Sequence, residues 1–278
     1  MASSSAAALA VRGRRYLPCV SEILTGAAVV GAVFTLLSAV RVGARALRNT
    51  VGRRWANYSK LGRVAVTAQL GYFVAVLGEP AVKRQNESGT TTALFVDPDF
   101  FLQAVVGADG LVISYSVTTR SPRFRPKLWW PTTGDGFQGV TLGRSTFVEA
   151  GDPTQVTGSR GARRIGYAEI HYFGNPGHYQ EFALSYNDSG AGDLVDFTDV
   201  FASDGPLDSL AAGALALETY LRDAQVHTFR FRSVPNTYSV SAPFAQLDSQ
   251  EWGLGVDLDQ VRPFFLVEQR PWWQRILN

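Results

Sequence analysis

Residues 142–156 read LGRSTFVEAGDPTQV, and residues 61–84 read LGRVAVTAQLGYFVAVLGEPAVKR. Both stretches open on Leu-Gly-Arg and both reach a Gly-acid-Pro tripeptide, Gly78-Glu79-Pro80 in one and Gly151-Asp152-Pro153 in the other. Upstream, Leu61, Val64, Ala65, Ala68, Tyr72, Ala75 and Val76 form a helical stripe within residues 58–77. Glycine caps helices and proline cannot continue them, so the tripeptide marks where that helix stops. The downstream stretch predicts a shorter helix over 142–149 that stops in the same way.

The order of features after each tripeptide is also shared. A polar turn, QNESGTTT, precedes the strand-like runs ALFVDPDFFLQAVV (93–106) and LVISYSVTTR (111–120), which Ala108-Asp109-Gly110 joins as a hairpin. In the second case TGSRGARR precedes IGYAEIHYFG (165–174), a turn at Asn175-Pro176-Gly177, and YQEFALSYN (179–187). Pro206 then opens an amphipathic helix, PLDSLAAGALALETYLRDA, with a stripe of Leu207, Leu210, Ala214, Leu217 and Leu221. HTFRFRSV (227–234) alternates Phe229 and Phe231 against Arg230 and Arg232 as a strand does, and Pro235-Asn236-Thr237 turns into YSVSAPF. The fold class expected is α+β: a transmembrane helix followed by a soluble domain of two related helix-plus-antiparallel-β-meander units. The boundaries expected are a tail over 1–22, a span over 23–42, a basic linker over 43–57 and a first unit over 58–136. A second unit follows over 137–200, then a helix with closing strands over 201–245 and an aromatic-rich segment over 246–278.

The expected span is ILTGAAVVGAVFTLLSAV, from Ile23 to Val40, without a charge. As a helix it covers roughly 27 Å, close to the ~30 Å hydrocarbon core of a bilayer. A cleaved signal peptide is the rival, but no small-Xaa-small site precedes the arginines that follow. Arg41, Arg45, Arg48, Arg53 and Arg54 outnumber Arg12, Arg14 and Arg15, which places the C-terminal domain in the cytoplasm beneath the plasma membrane. The single cysteine, Cys19, precludes an intramolecular disulfide and agrees with that side. Ala27, Gly31 and Thr35 form a small-residue row that can pair two spans.

Charge narrows the partners. Ten of the 26 basic residues but one of the 24 acidic ones lie in residues 1–63, so residues 64–278 carry a net charge of −7. Phosphate-reading domains need a basic surface, and nucleic acid is therefore disfavoured as a partner. The basic segment after the span, with Arg45, Arg48, Arg53 and Arg54, suits an anionic lipid surface.

Leu77-Gly78-Glu79-Pro80, Phe95-Val96-Asp97-Pro98, Asp109-Gly110, Tyr115-Ser116-Val117-Thr118-Thr119, Phe124-Arg125-Pro126 and Pro235-Asn236-Thr237-Tyr238 carry a resemblance. Through them the chain resembles uncharacterised bacterial membrane proteins with the so-called ETEC-type domain, across most of 58–245. That resemblance implies one membrane span and a soluble domain of unknown activity, with no catalytic residues to carry over. More distantly, the helix, Gly-Xaa-Pro turn and meander look like small lipoprotein folds of outer-membrane assembly factors, which are non-catalytic binding modules.

Chemical motifs are sparse. No GxxxxGK[ST], GxGxxG after a strand, or GxSxG occurs, which sets aside the usual nucleotide-binding and nucleophile-elbow chemistries. Glu169 and His171 share one face of a predicted strand, and the hairpin can bring His178 near, the arrangement of an acid–base pair or of two metal ligands. A solvated strand face carries such residues equally well. Asp97 and Asp99 flank Pro98, which reads as a strand bulge or edge, and Asp193, Asp196, Asp199 and Asp204 do not fit a calcium loop. No metal and no cofactor are expected.

TTRSPRFRPKLWWP (118–131) mixes Arg120, Arg123 and Arg125 with Trp129 and Trp130, and Trp272 and Trp273 repeat the mixture near residue 278. Such residues seat at a bilayer interface, stack on bases, or cover a sheet as an ordinary loop. The function expected is a membrane-anchored, non-catalytic binding, sensing or effector module, with the bilayer and an unidentified protein as partners. The alternatives are a hydrolase using Glu169 and His171, and a membrane-active protein assembling through its span.

Overall fold

The structure, a computed structural model, describes residues 51–128, 139–160, 165–172, 180–192, 200, 205–243, 245, 247 and 253–268. The expected span with Ala27, Gly31 and Thr35 lies outside these residues, as do Arg45, Arg48, His178 and the tryptophans at 129, 130, 272 and 273. Among the described residues no helix is long and apolar enough to cross a membrane. Compactness divides the chain between Ala56 and Asn57. Of the first unit only 51–56 are described, and Trp55 there is exposed.

Gly-acid-Pro acts as the terminator the sequence predicts. Helix α1 (Arg53–Leu61) and helix α2 (Leu70–Leu77) precede Gly78, whose φ of 96° ends α2 while its N–H bonds to Val74 O. Gly151, with φ of 88°, ends a three-residue 3-10 turn over Val148–Ala150 in the same manner. Positive φ is costly for side chains with a Cβ, so glycine is required at both places. Two lengths differ from expectation. The helix read over 58–77 is interrupted between Leu61 and Leu70, because residues 67–68 bond to the backbone of Val112 instead of to their own turn. The helix read over 142–149 shrinks to the 3-10 turn.

Strands β1 (Val82–Gln85), β2 (Thr91–Val96), β3 (Phe100–Val106) and β4 (Val112–Thr119) form one meander. Strands β5 (Gln155–Arg160), β6 (Ile165–Tyr172) and β7 (Glu181–Asn187) form another. Asp97-Pro98-Asp99 is a turn between β2 and β3, where a bulge or sheet edge was expected, with Asp97 N bonded to Phe100 O at 2.9 Å. After β7 come helices α3 (Pro206–Ala211), α4 (Leu217–Arg222) and α5 (Ala224–Arg232), then strand β8 (Thr237–Ser241). The single helix expected from Pro206 is thus two.

Helix α5 replaces the strand expected over 227–234. Asp223 accepts from the backbone N–H groups of Gln225 and Val226 and so caps a helix at its start. Once helical, Val226, Phe229 and Arg230 are buried and Phe231 is exposed, so period-two alternation is not the period in use. Helix α6 (Leu258–Glu268) follows β8.

Among the described residues the strands join in one antiparallel sheet, in the order β1-β2-β3-β4-β8-β7-β6-β5. Strand β8 inserts between the meanders and closes the sheet by pairing with β4 and β7. One face is apolar and lies under helices α1–α5, whereas Val261 and Phe264 of α6 pack with Leu94 and Phe101 on the other. Phe95, Leu102, Tyr115, Val117, Tyr238, Leu184 and Tyr167 meet Phe73, Phe147, Tyr220 and Phe229 there in the main core. Complete burial of each such side chain contributes about 1.5–3 kcal/mol.

The opposite face is of another character. Ser114, Ser116 and Thr118 on β4 stand opposite Ser241, Ser239 and Thr237 on β8, and all six are buried. Residues 253–256 cross this polar ladder. Asn187 Nδ2 donates to the carbonyls of Leu254 and Val256, and Ser239 Oγ donates to Gly253 O at 3.4 Å. Gly255, with φ of 78°, fits because a Cβ there would stand 2.7 Å from Thr237 Cγ2.

Candidate functional site

Glu169 and His171 alternate along β6 on the helix-covered face, opposite Leu184 and Phe182 of β7. Their exposures are 0% and 2%, so the pair belongs to the core and not to a solvated strand face. The structure thus places in the core two residues that the sequence left open as a ligand-facing pair or a solvated strand face. Burial of a carboxylate is tolerated here because α5 supplies the counter-charge. Arg230 Nε donates to Glu169 Oε1 at 2.6 Å and Nη2 donates to Oε2 at 3.1 Å, a two-pronged pair. Tyr167 adds its hydroxyl to Oε1 at 2.7 Å.

Arg230 reaches further, to the Gly151-Asp152-Pro153 turn. Its Nη2 donates to Gly151 O at 2.7 Å, and Nη1 lies 3.4 Å from Asp152 Oδ1. The Asp152 carboxylate is 81% exposed, so that last contact is weak. One guanidinium therefore ties α5, β6 and the Gly151-Asp152-Pro153 turn together. The arginine was visible in the sequence, but its partner was not, because the two lie 61 positions apart and α5 was read as a strand.

Electrostatics at the cluster follow from burial. Burial pushes the Glu169 carboxyl up to about 7, against the pull of Arg230 and Tyr167. Burial, with the Arg230 charge adding to it, lowers His171 to about 4, against a backbone bond and the charge at Asp152. Burial also raises Tyr167 well above its ordinary value, and the neighbouring Glu169 charge acts in the same direction. A carboxyl near 7 suits acid–base chemistry in the abstract. Here its oxygens are engaged by Arg230 and Tyr167.

A second cluster lies at the β2–β3 turn. Asn57 of α1 donates through Nδ2 to Asp97 Oδ1 at 2.8 Å and Asp99 Oδ2 at 3.0 Å. The two carboxylates do come together, on one amide. Among the described residues no group of three or more His, Cys, Asp and Glu side chains could hold a metal ion. Arg120 turns inward: its guanidinium lies 5.0 Å from the Phe101 ring centre and donates to Asp97 O and Phe264 O. Arg123 and Arg125 stay exposed, and Arg125 Nε donates back to Pro122 O at 3.0 Å. Arg53 and Arg54 lie half-buried at the start of α1. The expected ligand-binding set is thus dispersed, with three members inside the fold and two on a loop surface.

No family model matches the chain, and no curated protein matches it. A solved structure with some likeness is that of a "putative beta-lactamase inhibitor protein" from Streptococcus mutans. It is 10% identical, the match covers 50% of this chain and 93% of that one, and the TM-score is 0.24. A likeness that slight carries no argument about function.

Proposed function

We propose that the chain is a membrane-tethered, non-catalytic binding module built from two copies of one helix-plus-four-strand unit, held in the cytoplasm beneath the plasma membrane. The observation that carries the non-catalytic reading is the burial of Glu169 and His171, the acid–base pair that the sequence singles out. Glu169 is engaged by Arg230, which joins α5 and the Gly151 turn to the sheet, and His171 is buried beside it. The tether rests on the uncharged run from Ile23 to Val40 and the arginine-rich stretch after it. The exposed Trp55 next to Arg53 and Arg54 suits the lipid headgroup level.

The duplication is supported by strand registers. Setting Val82 on Gln155 keeps Pro80 on Pro153, and following each hydrogen-bonded strand pair in turn carries Thr91 to Tyr167 and Phe101 to Glu181. The same steps carry Tyr115-Ser116-Val117-Thr118 onto Tyr238-Ser239-Val240-Ser241. Ser116 and Ser239 are themselves register partners, so the approximate two-fold passes between them. On this reading β8 is the fourth strand of the second unit, which extends past residue 200.

Two experiments test the proposal. The purified chain should turn over p-nitrophenyl esters, p-nitrophenyl phosphate and casein no faster than its Glu169→Gln variant. Turnover that vanishes in Glu169→Gln while the far-ultraviolet spectrum is unchanged overturns the non-catalytic reading. A topology reporter fused after Asn278 should report a cytoplasmic location, and export of the reporter reverses the orientation.

A further inference from the structure

We infer that strand β1 is a docking edge for an extended acidic peptide segment, which adds to the sheet as a further strand; this rests on the binding-module reading and gives that module a partner class. Strand β1 ends the sheet, and among the described residues no strand pairs beyond it. All of its residues, Val82 to Gln85, are exposed, so neither of its faces is covered. The other end of the sheet is different. Val156 and Thr157 of β5 are buried, and α3 packs against that strand. Under the proposed duplication Lys83 and Arg84 take the places of Val156 and Thr157, without that cover.

The free side of β1 has a bonding pattern that follows from the registers. Asn86 N–H donates to Thr90 O at 2.8 Å, and Asp97 N–H donates to Phe100 O at 2.9 Å. Even-numbered residues of β2 therefore bond to β1 and odd-numbered ones to β3. By the same alternation Arg84 bonds inward, and the N–H and C=O groups of Lys83 and Gln85 face out. Such groups are the template on which an extended peptide adds. The edge is also pinned at both ends. Ala81 N–H donates to Leu94 O at 2.8 Å, and Asn86 Nδ2 donates to the Thr90 and Thr92 hydroxyls at 2.9 Å. It is thus formed before a partner arrives, which lowers the ordering cost of binding.

Charge selects the partner. Lys83 stands beside Ala93 and projects on the face of the main core, whereas Arg84 stands beside Thr92 and projects on the opposite face with Val82 and Leu94. A strand added at this edge meets one cation on each face. Acidic side chains at two successive positions alternate in the same way and answer both. Between Glu79 and Glu87 the chain itself carries no acid. A second copy of β1 fits less well, since antiparallel pairing centred on Lys83 or on Arg84 sets like charges opposite each other. The two cations therefore deter self-pairing and leave the edge open to carboxylates.

The test uses the full-length chain in detergent micelles and short synthetic threonine–valine peptides with blocked ends. One carries Glu-Glu at its centre, one carries Lys-Lys there, and one is the Glu-Glu peptide fully N-methylated, which has no N–H groups to donate. By fluorescence anisotropy the Glu-Glu peptide should bind, and each of the others should bind about tenfold or more weakly. Its binding should slow amide exchange at Lys83 and Gln85 and leave Arg84 unchanged. In the double variant Lys83→Glu/Arg84→Glu the preference should invert towards the Lys-Lys peptide; both side chains are exposed, so the fold tolerates the change. No binding of the Glu-Glu peptide up to about 1 mM, or equal binding of its N-methylated form, overturns the inference. Self-association of the chain that the double variant abolishes overturns it in favour of a second copy. Any of these failures leaves the non-catalytic reading intact, because that reading stands or falls on the turnover assay.

Discussion

Arg230→Ala should destabilise the folded chain by about 3–5 kcal/mol at pH 8, the cost of leaving a buried carboxylate without its partner. The loss should shrink near pH 5, and the sign follows from Glu169. Its folded-state value, about 7, lies above the ordinary 4.5, so its contribution is fully present below 4.5 and is lost as pH rises through 7. Without Arg230 the main force holding that value down is gone, and the native state must either keep a proton or carry a bare charge. His171 acts in the other direction. Its folded value near 4 lies below 6.5, so its contribution is present above 6.5 and is lost as pH falls through 4. The two offset one another between about 4.5 and 6.5, and the wild-type profile should be nearly level there, then decline towards 7. Urea unfolding of wild type and Arg230→Ala across this range measures both effects. A difference between them that is small or independent of pH would show that the pair does not hold the fold together.

Asn187→Ala should cost about 3 kcal/mol, through several lost bonds at once. Asn187 Nδ2 donates to Leu254 O and Val256 O, and its Oδ1 accepts from Ser189 N at 2.8 Å. Its backbone N–H and C=O are in turn bonded to the Asn236 side-chain amide, at 2.9 and 2.7 Å. Alanine keeps the last pair and abolishes the first three, so Leu254 O loses the Asn187 donor and Val256 O keeps only Ser189 Oγ at 3.4 Å. For a chain of this size the expected fall in melting temperature is roughly 10 °C. Chymotrypsin should also cut after Phe264 earlier than in wild type, because Leu254 and Val256 no longer bond to the Asn187 amide. A melting temperature within about 2 °C of wild type would mean that packing and the remaining bonds from Ser239 and Ser189 hold the segment without Asn187.

What the sequence revealed was what local chemistry decides. Asp109-Gly110 makes a hairpin whatever surrounds it, and Gly78 and Gly151 end their helices because their φ values suit almost no other residue. The α+β class and the paired meanders were legible for that reason. Helix α5 was not, since Thr228-Phe229-Arg230-Phe231-Arg232 alternates like a strand, and the burial of Arg230 depends on Glu169 from a distant strand. For the same reason Glu169 looked like a surface residue. The repeat of Tyr-Ser-Val at 115–117 and 238–240 was present in the sequence. It lay beyond three helices that the first unit lacks, so it was not matched.

The seam between β4 and β8 has a consequence for how the chain reaches this state. Six of the seven strand pairings link consecutive strands in the chain or reach over the α3–α5 stretch, but β4 and β8 bond across 119 positions, as at Thr118 and Thr237. Closing so long a loop is slow, whereas hairpins form in microseconds. Each meander can therefore assemble early on its own side, with its edge strand waiting. The final rate-limiting event is the docking of one finished half against the other along Ser116 and Ser239, and a nascent chain still lacking β8 would present β4 as an open edge until synthesis supplied its neighbour.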